Sequence, residues 1–343
     1  MRLSTLWSML GGTAAPSWVR ALGFMKPVHR SAWLAAASKH GVLSMLREEP
    51  RTLAELGEAL GAPPARQPAL RAWLTHGCVL GEIALEGERY RLRSLFARRL
   101  ADPRFGEMKA FVEALAAIHH RGIYEALDHL KEGRSLGDLD HDLVARAAEM
   151  TAPVLREAID RTVPRRGAAT LLELGCGTGL HVRYACARNP ELSAVGVEVD
   201  LEVAGKARAA LREAALEARI RVETGDLRTL ELDERFDVVT MFNLIYYFAV
   251  EERASVVARA ASWLAPGGSL VLTTACGGET LPSNLLDIWF SSFRECGPLP
   301  RPPDITSALE AAGLEVARPV RMIPGEEYYL FVGKKPESPR LGA

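Results

Sequence analysis

The sequence predicts an α/β protein in which a parallel sheet, covered by helices on both faces, follows a mainly helical N-terminal part. Two observations predict this architecture. Before Arg165-Arg166-Gly167 almost every segment has helical character, whereas after this point short β-rich runs alternate with helical ones. The first β-rich run then leads directly into a glycine-rich loop. The length of 343 residues leaves room for a second, smaller domain.

The composition is that of an ordinary globular protein. Apolar residues make up 48% of the chain and charged residues 25%. The net charge is -1, so the chain lacks the excess of basic residues that would indicate nucleic-acid binding. Five cysteines without a Cys-x-x-Cys pair argue against both a disulfide framework and a zinc site, which fits a reducing cytoplasm. No apolar run approaches the roughly 18 residues of a membrane span, and we expect an irregular or helical N-terminal arm instead of a secretory signal.

Residues 1–105 read as a helical domain with a small hairpin. TLAELGEALG and PPARQPALRAWLTHGCVL predict two helices, and GEIALEGERYRL predicts a hairpin, which together form a winged-helix pattern. DNA binding is disfavoured because the second helix offers only Arg66 and Arg71 as basic residues. The preceding segment SAWLAAASKHGVLSML predicts one apolar helix with no obvious partner in the second half of the chain, which favours a subunit interface.

The second half predicts the sheet element by element. TLLELG, LSAVGVEVD, IRVETGD, FDVVTMFN and SLVLTTA are the predicted strands; HVRYACARN, LEVAGKARAALREAALEA and EERASVVARAASWL are predicted helices. LEVARPVRMI and EEYYLFVGKK, on either side of Pro324-Gly325, predict a terminal hairpin. The carboxyl ends of the parallel strands should form the ligand site.

The glycine-rich loop, called the glycine loop below, is the strongest single signal in the sequence and reads Glu173-Leu174-Gly175-Cys176-Gly177-Thr178-Gly179, between a predicted strand and a predicted helix. Its glycines let the main chain approach a ligand, and amides at the following helix start can bond polar groups of that ligand. The dinucleotide fingerprint would require glycine where Leu180 stands, and pyrophosphate gives no reason for the acid at Glu173. A ligand with an ammonium group gives such a reason.

With this spacing, residues from about 168 to 335 resemble the class I S-adenosylmethionine-dependent methyltransferases, whose Rossmann-like seven-stranded sheet has an antiparallel last strand. The resemblance implies S-adenosyl-L-methionine as cofactor, with Glu198 on the ribose, Asp226 on the adenine amino group and Asn243 beside the methyl donor. Ala265-Pro266-Gly267-Gly268 is the turn that such enzymes carry before the fifth strand. The implied cofactor residues are Glu173, Gly175, Cys176, Gly177, Thr178, Gly179, Glu198, Val199, Gly225, Asp226, Leu227 and Asn243.

A winged helix ahead of such a domain resembles the small-molecule O-methyltransferases, in which it forms a dimer interface and closes the substrate pocket. The resemblance implies a winged-helix dimerisation domain at 1–105, connecting helices lining the substrate pocket at 106–165, a catalytic domain at 166–336 and a tail at 337–343. We expect a cytoplasmic homodimer that methylates a small molecule of secondary metabolism, with oxygen favoured over carbon or nitrogen and with no nucleic-acid or membrane partner. The rival functions are a DNA-binding cofactor sensor and non-methyl chemistry with the same cofactor.

The sequence departs from the pattern of this family at the catalytic base. Such O-methyltransferases carry a histidine in a run like Leu-His-x-Trp, and here that position is Tyr246, with Phe248 in place of tryptophan. A phenol with a pKa near 10 is a poor base at neutral pH. The first alternative is that Tyr246 and Tyr247 only form the pocket wall, around an acceptor that needs little base.

The second alternative is His119, on the predicted helical face that carries Phe111, Leu115, Ile118 and Gly122. A metal-activated hydroxyl would need a carboxylate cluster that the sequence lacks, so no metal is predicted. Asn243-Leu244-Ile245-Tyr246 lacks both prolines of the Asn-Pro-Pro-Tyr motif of base methylases, which disfavours a nucleic-acid substrate.

The segment SNLLDIWFSSFRECGPLPRP stands where the resemblance places an element that covers the substrate. Trp289, Phe290 and Phe293 suit a flat, apolar acceptor, and packing of a short helix accounts for them equally well. The candidate substrate residues are therefore Tyr246, Tyr247, Trp289, Phe290 and Phe293.

Overall fold

The structure is a computed structural model that describes residues 15–140, 144 and 148–337. The chain forms two compact units that divide between His120 and Arg121. The division falls inside the predicted connecting segment 106–165, so the helix Gly106–Ala114 belongs to the first unit. Most of the predicted N-terminal arm and all but the first residue of the predicted tail lie outside the described residues.

The first unit combines helices with a three-stranded antiparallel sheet of order β1-β3-β2. The predicted helix pair corresponds to α3 and α4, and the predicted hairpin to β2 and β3. The elements are α1 (Ala15–Lys39), α2 (Val42–Glu48), β1 (Arg51–Thr52), α3 (Leu53–Ala59), α4 (Gln67–Leu80), β2 (Ile83–Glu86), β3 (Arg89–Leu92), α5 (Leu95–Leu100) and α6 (Gly106–Ala114).

The segment SAWLAAASKHGVLSML is not one helix, contrary to the sequence prediction. Gly41 adopts a left-handed conformation with φ of +73° and separates α1 from α2. Its apolar side chains, among them Trp33, Leu34 and Leu43, are buried in the core of the first unit itself. The exposed apolar side chains lie earlier on α1 and are Trp18, Val19, Leu22, Phe24, Met25 and Val28.

The predicted helical face that carries His119 is interrupted. Leu115–His120 forms a π-helix, in which each turn holds more residues than an α-turn, so the side chains no longer follow a 3.6-residue spacing. His119 is half-buried, with its ring centroid 6.2 Å from that of Phe111.

The second unit contains the predicted alternation of strands and helices. The helices are α7 (Arg121–Glu125), α8 (Ala152–Thr162), α9 (Leu180–Arg188), α10 (Leu201–Glu213), α11 (Arg253–Ser262), α12 (Leu281–Ser291) and α13 (Pro302–Ala311). The strands are β4 (Ala169–Leu174), β5 (Leu192–Glu198), β6 (Ile220–Thr224), β7 (Phe236–Phe242), β8 (Leu264–Ala275), β9 (Glu315–Val316), β10 (Val320–Arg321) and β11 (Tyr328–Lys334).

The strands form one sheet of order β10-β11-β8-β7-β4-β5-β6, with β9 also paired to β11. Strands β4 to β8 are parallel, and β11 runs antiparallel to β8, so the predicted fold class is confirmed. Within the described residues the sheet has eight strands instead of the predicted seven. The first arm of the terminal hairpin is divided at Pro319, which has no amide proton to donate, into the short strands β9 and β10.

The expected turn at Ala265-Pro266-Gly267-Gly268 is part of strand β8. The pairing of β7 with β8 shifts there from Phe236↔Leu264 to Val238↔Ser269, and Gly267 has φ of +79°. The turn is therefore a bulge, after which β8 continues beside β7 to the edge that carries the site. None of the helices in the described part of the chain is long and apolar enough to cross a membrane.

Candidate active site

A cavity of about 410 Å³ opens at the carboxyl ends of the parallel strands in the second unit. The ends of β4, β5, β6 and β7 form one side, and an apolar wall from the segment before β4 includes Leu136, Leu139 and Leu155. The predicted cofactor residues that line it are Glu173, Gly175, Cys176, Gly177, Thr178, Glu198, Val199, Gly225, Asp226, Leu227 and Asn243. Gly179 caps α9 with φ of +75° and is not part of the lining.

The main chain of the glycine loop borders the cavity directly at Gly177. Gly177 has φ of +54°, and a Cβ atom built there would meet no atom within 4 Å, so it faces open space. Gly175 has φ of +70°, and a Cβ atom there would lie 2.9 Å from Leu244 Cδ1. The left-handed backbone favours glycine at position 175, where Leu244 packs closely, whereas Gly177 leaves room for a ligand.

Glu173 is a buried acid with an unused oxygen. Its side chain is 2% exposed, the Val182 amide hydrogen-bonds the carboxyl, and Oε2 has no partner among the described residues. The pKa of Glu173 is raised to about 8, mainly by burial and to a smaller extent by the neighbouring Glu198 carboxylate. A cation in the cavity would give Oε2 a hydrogen-bond partner and would balance the negative charge of the ionised carboxyl.

Glu198 is bonded at both oxygens. Oε2 accepts a hydrogen bond from the Gly177 amide at 2.9 Å, and Oε1 accepts one from the Asp200 amide at 3.1 Å. The carboxylate therefore ties the end of β5 to the glycine loop. Each oxygen retains lone-pair capacity for a hydroxyl donor from a ligand.

Asp226 follows β6 and is accompanied by an arginine that the sequence analysis did not single out. Asp226 Oδ1 accepts a hydrogen bond from the Arg228 amide at 2.8 Å. The Arg228 guanidinium bonds both oxygens of Glu252 at 3.0 Å and lies 4.7 Å from the centroid of the Phe248 ring. Arg228 and Phe248 both line the cavity and close it beyond Asp226.

Tyr246 and Tyr247 lie in a 3₁₀ turn, Ile245–Tyr247, directly after β7. Tyr247 lines the cavity, whereas Tyr246 is 8% exposed and packs 4.2 Å, between ring centroids, from Phe290 of α12. Burial raises the pKa of both phenols above the usual value near 10, which keeps their hydroxyls protonated at neutral pH.

The remaining candidate aromatics lie behind this layer. Trp289 and Phe293 are buried, and the Arg134 guanidinium lies 4.5 Å and 5.2 Å from their ring centroids. A Cβ atom at Gly122 would lie 2.6 Å from the Trp289 ring. Neither aromatic is part of the cavity lining, and nor is Phe290.

His119 lies in the first unit, on the π-helix, and its pKa is lowered by burial. Its role as a base remains a prediction from the sequence. The described residues contain no group of three or more His, Cys, Asp or Glu side chains that could hold a metal ion.

A different histidine, His181, lines the cavity. Its Nδ1 is buried without a partner, and its ring lies edge-on to Phe242 at 6.0 Å between centroids. Burial lowers the pKa of His181 to about 4, with a smaller contribution from Arg156, so the imidazole is neutral near pH 7. One sequence signal could have identified it: His181 is two residues beyond Gly179, on the first turn of the helix that follows the glycine loop.

Comparison with known proteins agrees with this geometry. Residues 171–268 match a methyltransferase domain family. The chain is 25% identical over 198 residues to demethylspheroidene O-methyltransferase of Rhodobacter capsulatus, a match that covers 55% of this chain and 48% of the relative. It is 30% identical over 157 residues to a dTDP-4-amino-2,3,4,6-tetradeoxy-D-glucose N,N-dimethyltransferase of Saccharopolyspora spinosa, covering 45% and 53%. The matches thus span about half the length of these curated relatives.

Solved structures match nearly the whole chain. Mitomycin 7-O-methyltransferase superimposes with a TM-score of 0.75 at 19% identity, covering 94% of this chain and 100% of that one. Human N-acetylserotonin methyltransferase in complex with SAM superimposes with a TM-score of 0.71 at 16% identity, covering 95% and 99%. At these identities the likeness shows a shared fold. Residues 171–268 are therefore similar to a methyltransferase domain, and this segment lies inside a fold that the solved methyltransferase structures share over nearly the whole chain.

Proposed function

We propose that the protein transfers a methyl group from S-adenosyl-L-methionine to a small-molecule acceptor, with oxygen as the favoured target. The observation that carries this proposal is the unpartnered Glu173 oxygen beside the open space at Gly177. Both features lie in the region matched by the methyltransferase family. An acid buried without a cation, together with the open space at Gly177, fits a ligand that has a cationic amino-acid end.

The residues present fit this cofactor along its whole length. Glu173 would pair with the ammonium of the amino-acid end, and Glu198 would accept hydrogen bonds from the ribose hydroxyls while it holds Gly177. Asp226 would face the adenine amino group, with Leu227 and Val199 as apolar walls. When bound, the cofactor supplies a methyl group on a sulfonium, a strong leaving group.

The chain's own contribution is alignment of the acceptor and exclusion of water. Leu139, Leu155 and Phe242 give this part of the cavity an apolar surface, and Tyr247 adds an aromatic one. Tyr246 supports Tyr247 from behind, at 5.2 Å between ring centroids. Because both phenols hold their protons, Tyr247 orients the acceptor, Tyr246 supports Tyr247, and neither deprotonates the acceptor.

The second candidate is N-methylation of a small molecule. It is favoured by the 30% identity to an amino-sugar N,N-dimethyltransferase and by the protonated phenols, since an amine brings its own lone pair. C-methylation of an activated carbon has the same modest need for a base. Product analysis by mass spectrometry and NMR separates the three.

For the first unit we propose a winged-helix role in homodimer formation, in a cytoplasmic enzyme of secondary metabolism. Helices α3 and α4 with the β2–β3 hairpin support the winged-helix assignment, and the free cysteines support a reducing compartment. The exposed apolar side chains of α1 support pairing, since such patches mark interfaces. Sedimentation at tens of micromolar should show a dimer; a monomer would exclude this role.

Calorimetry with S-adenosylmethionine tests the central proposal. Gly177→Val fills the space at the loop, and Glu198→Ala removes the carboxylate at the end of β5. Both proteins should retain their circular dichroism and bind the cofactor much more weakly than the parent. Undiminished affinity in both variants would refute the assignment, as would a product that carries no added methyl group. Gel shifts with DNA test the rival role as a sensor.

A further inference from the structure

Asn243, which lines the cavity after β7, has an unusual backbone. Its φ is +53°, and among the described residues only Ala215 is another non-glycine residue with positive φ. This left-handed conformation is strained for most side chains, and asparagine tolerates it better than most. Such conformations persist where the surrounding structure holds them.

Three elements hold Asn243 in place. Its amide donates a hydrogen bond to the Thr273 carbonyl of β8 at 2.9 Å. The Tyr328 hydroxyl of β11 donates to Asn243 Oδ1 at 2.7 Å, and Asn243 Nδ2 donates to Thr151 Oγ1, just before α8, at 3.0 Å. Tyr328 is buried, and its hydroxyl oxygen also lies 3.2 Å from Thr273 Oγ1.

The turn at Asn243 sets the position of the residues that follow. It brings Leu244 against Gly175 so closely that a Cβ atom there would lie 2.9 Å from Leu244 Cδ1. It also leads into the 3₁₀ turn whose Tyr247 lines the cavity. The hydrogen bonds of Asn243 thus tie β11 and the start of α8 to the turn whose Leu244 packs against Gly175 of the glycine loop.

We propose that Tyr328 and Thr151 are positioning residues, which hold the left-handed turn at Asn243 and thereby set the wall between the glycine loop and Tyr247. The proposal rests on the proposed function only for its effect on ligand affinity. The fixed turn itself is a property of the unliganded protein.

Tyr328→Phe tests this directly, with Tyr329→Phe as the matched control. Tyr329 is the next residue of β11, and its hydroxyl bonds Glu327 and Arg321 at the surface. In the unliganded protein, Tyr328→Phe should raise amide hydrogen exchange in a peptide covering residues 243–248, while Tyr329→Phe leaves it unchanged. Unchanged exchange in Tyr328→Phe would overturn the proposal.

Affinity for S-adenosylhomocysteine gives the second readout. Tyr328→Phe should weaken binding about three- to tenfold, as expected for the loss of a buried hydrogen bond that positions the site, and Tyr329→Phe should bind as the parent does. Thr151→Val should weaken binding to a similar extent, whereas Thr151→Ser, which keeps the hydroxyl, should restore it. A Thr151→Ser protein as weak as Thr151→Val would show that the hydroxyl is not what matters.

A double substitution tests whether Tyr328 acts through Asn243. In an Asn243→Gly background the oxygen that Tyr328 bonds is absent, so adding Tyr328→Phe should change affinity less than twofold. Fully additive effects would show that Tyr328 acts elsewhere and would overturn the proposal. A parent protein that binds no S-adenosylhomocysteine would count against the proposed function, and the hydrogen-exchange result would still decide this one.

Discussion

The two sides of the cavity differ in what their polar groups leave unsatisfied. On the glycine-loop side, Glu173 keeps a buried oxygen without a partner, and Gly177 faces open space. On the side formed by the turn after β7, Asn243 is bonded through both side-chain polar atoms, and Tyr246 is packed against Phe290. The first side therefore has a polar group and open space left for a ligand. The polar side-chain atoms of Asn243 on the second side are already hydrogen-bonded within the protein, so this side offers mainly its shape. Substitutions on the first side should therefore weaken cofactor binding strongly, whereas substitution of Tyr246 on the second should change turnover.

The largest difference should come from Glu173→Gln. The substitution removes the charge that would pair with the ammonium of the cofactor, so affinity should fall about a hundredfold, as for a buried ion pair that loses one partner. Calorimetry with S-adenosylhomocysteine measures the change. Glu223→Gln, in an exposed ion pair with Arg221 on β6, is the control and should bind as the parent does. Equal affinity of Glu173→Gln and the parent would place the ammonium elsewhere.

The pH dependence of the same residue sharpens the contrast. The pKa of Glu173 in the folded, unliganded protein is about 8, above its ordinary value of 4.5, so the carboxyl is largely protonated at pH 7. Pairing with an ammonium lowers this pKa, so binding at pH 7 should release close to one proton. Calorimetry in buffers of different ionisation enthalpy counts that proton, and Glu173→Gln should release none.

The same shift gives the unliganded protein a stability slope. A carboxyl whose pKa is raised on folding holds its proton more tightly in the folded state. The contribution of Glu173 to the free energy of unfolding is therefore fully present below about pH 4.5, and it is lost as the pH rises towards about 8. Thermal unfolding at pH 5 and pH 8 should show a smaller loss in Glu173→Gln than in the parent. An equal loss in both proteins would contradict the assignment of this slope to Glu173.

The smallest effect should come from the side of the cavity formed by the turn after β7. Tyr246→Phe keeps the ring against Phe290 and removes one hydroxyl, so turnover should fall by at most about tenfold once an acceptor is known. Tyr246→Ala should cost more, because it removes the support behind Tyr247.

A 10²- to 10⁴-fold loss in Tyr246→Phe, together with loss of the basic limb of the pH profile, would instead make Tyr246 a general base. A comparable loss in His119→Ala, with Tyr246→Phe nearly silent, would assign that role to the first unit.

The sequence predicted best those features that depend only on residues close together in the chain. The alternation of strands and helices and the glycine loop predicted the sheet and the edge that carries the cavity, because period and backbone freedom are local properties. The break at Gly41 and the π-helix at Leu115–His120 were missed, since neither interrupts the apolar pattern.

The functional residues that were missed depend on distant partners. Tyr328 reaches Asn243 across 85 positions of sequence, and no spacing rule connects the two residues. His181 stood beside a recognised motif, but its missing hydrogen-bond partner is visible only in three dimensions. Both Tyr246 and Tyr247 were predicted to line the pocket, but only the three-dimensional structure shows that Tyr247 lines the cavity and Tyr246 does not.

Because the antiparallel strand β11 follows β4 to β8 in the chain, it limits how early during synthesis the cavity can reach its final form. Strands β4 to β8 leave the ribosome first and can already pair as a parallel sheet. The Tyr328 hydroxyl arrives only with β11, so a nascent chain that ends at β8 carries the glycine loop but not the bond to Asn243 Oδ1. In such a chain the turn at Asn243 lacks this hydrogen bond, so the wall between the glycine loop and Tyr247 takes its final form only after β11 has paired with β8.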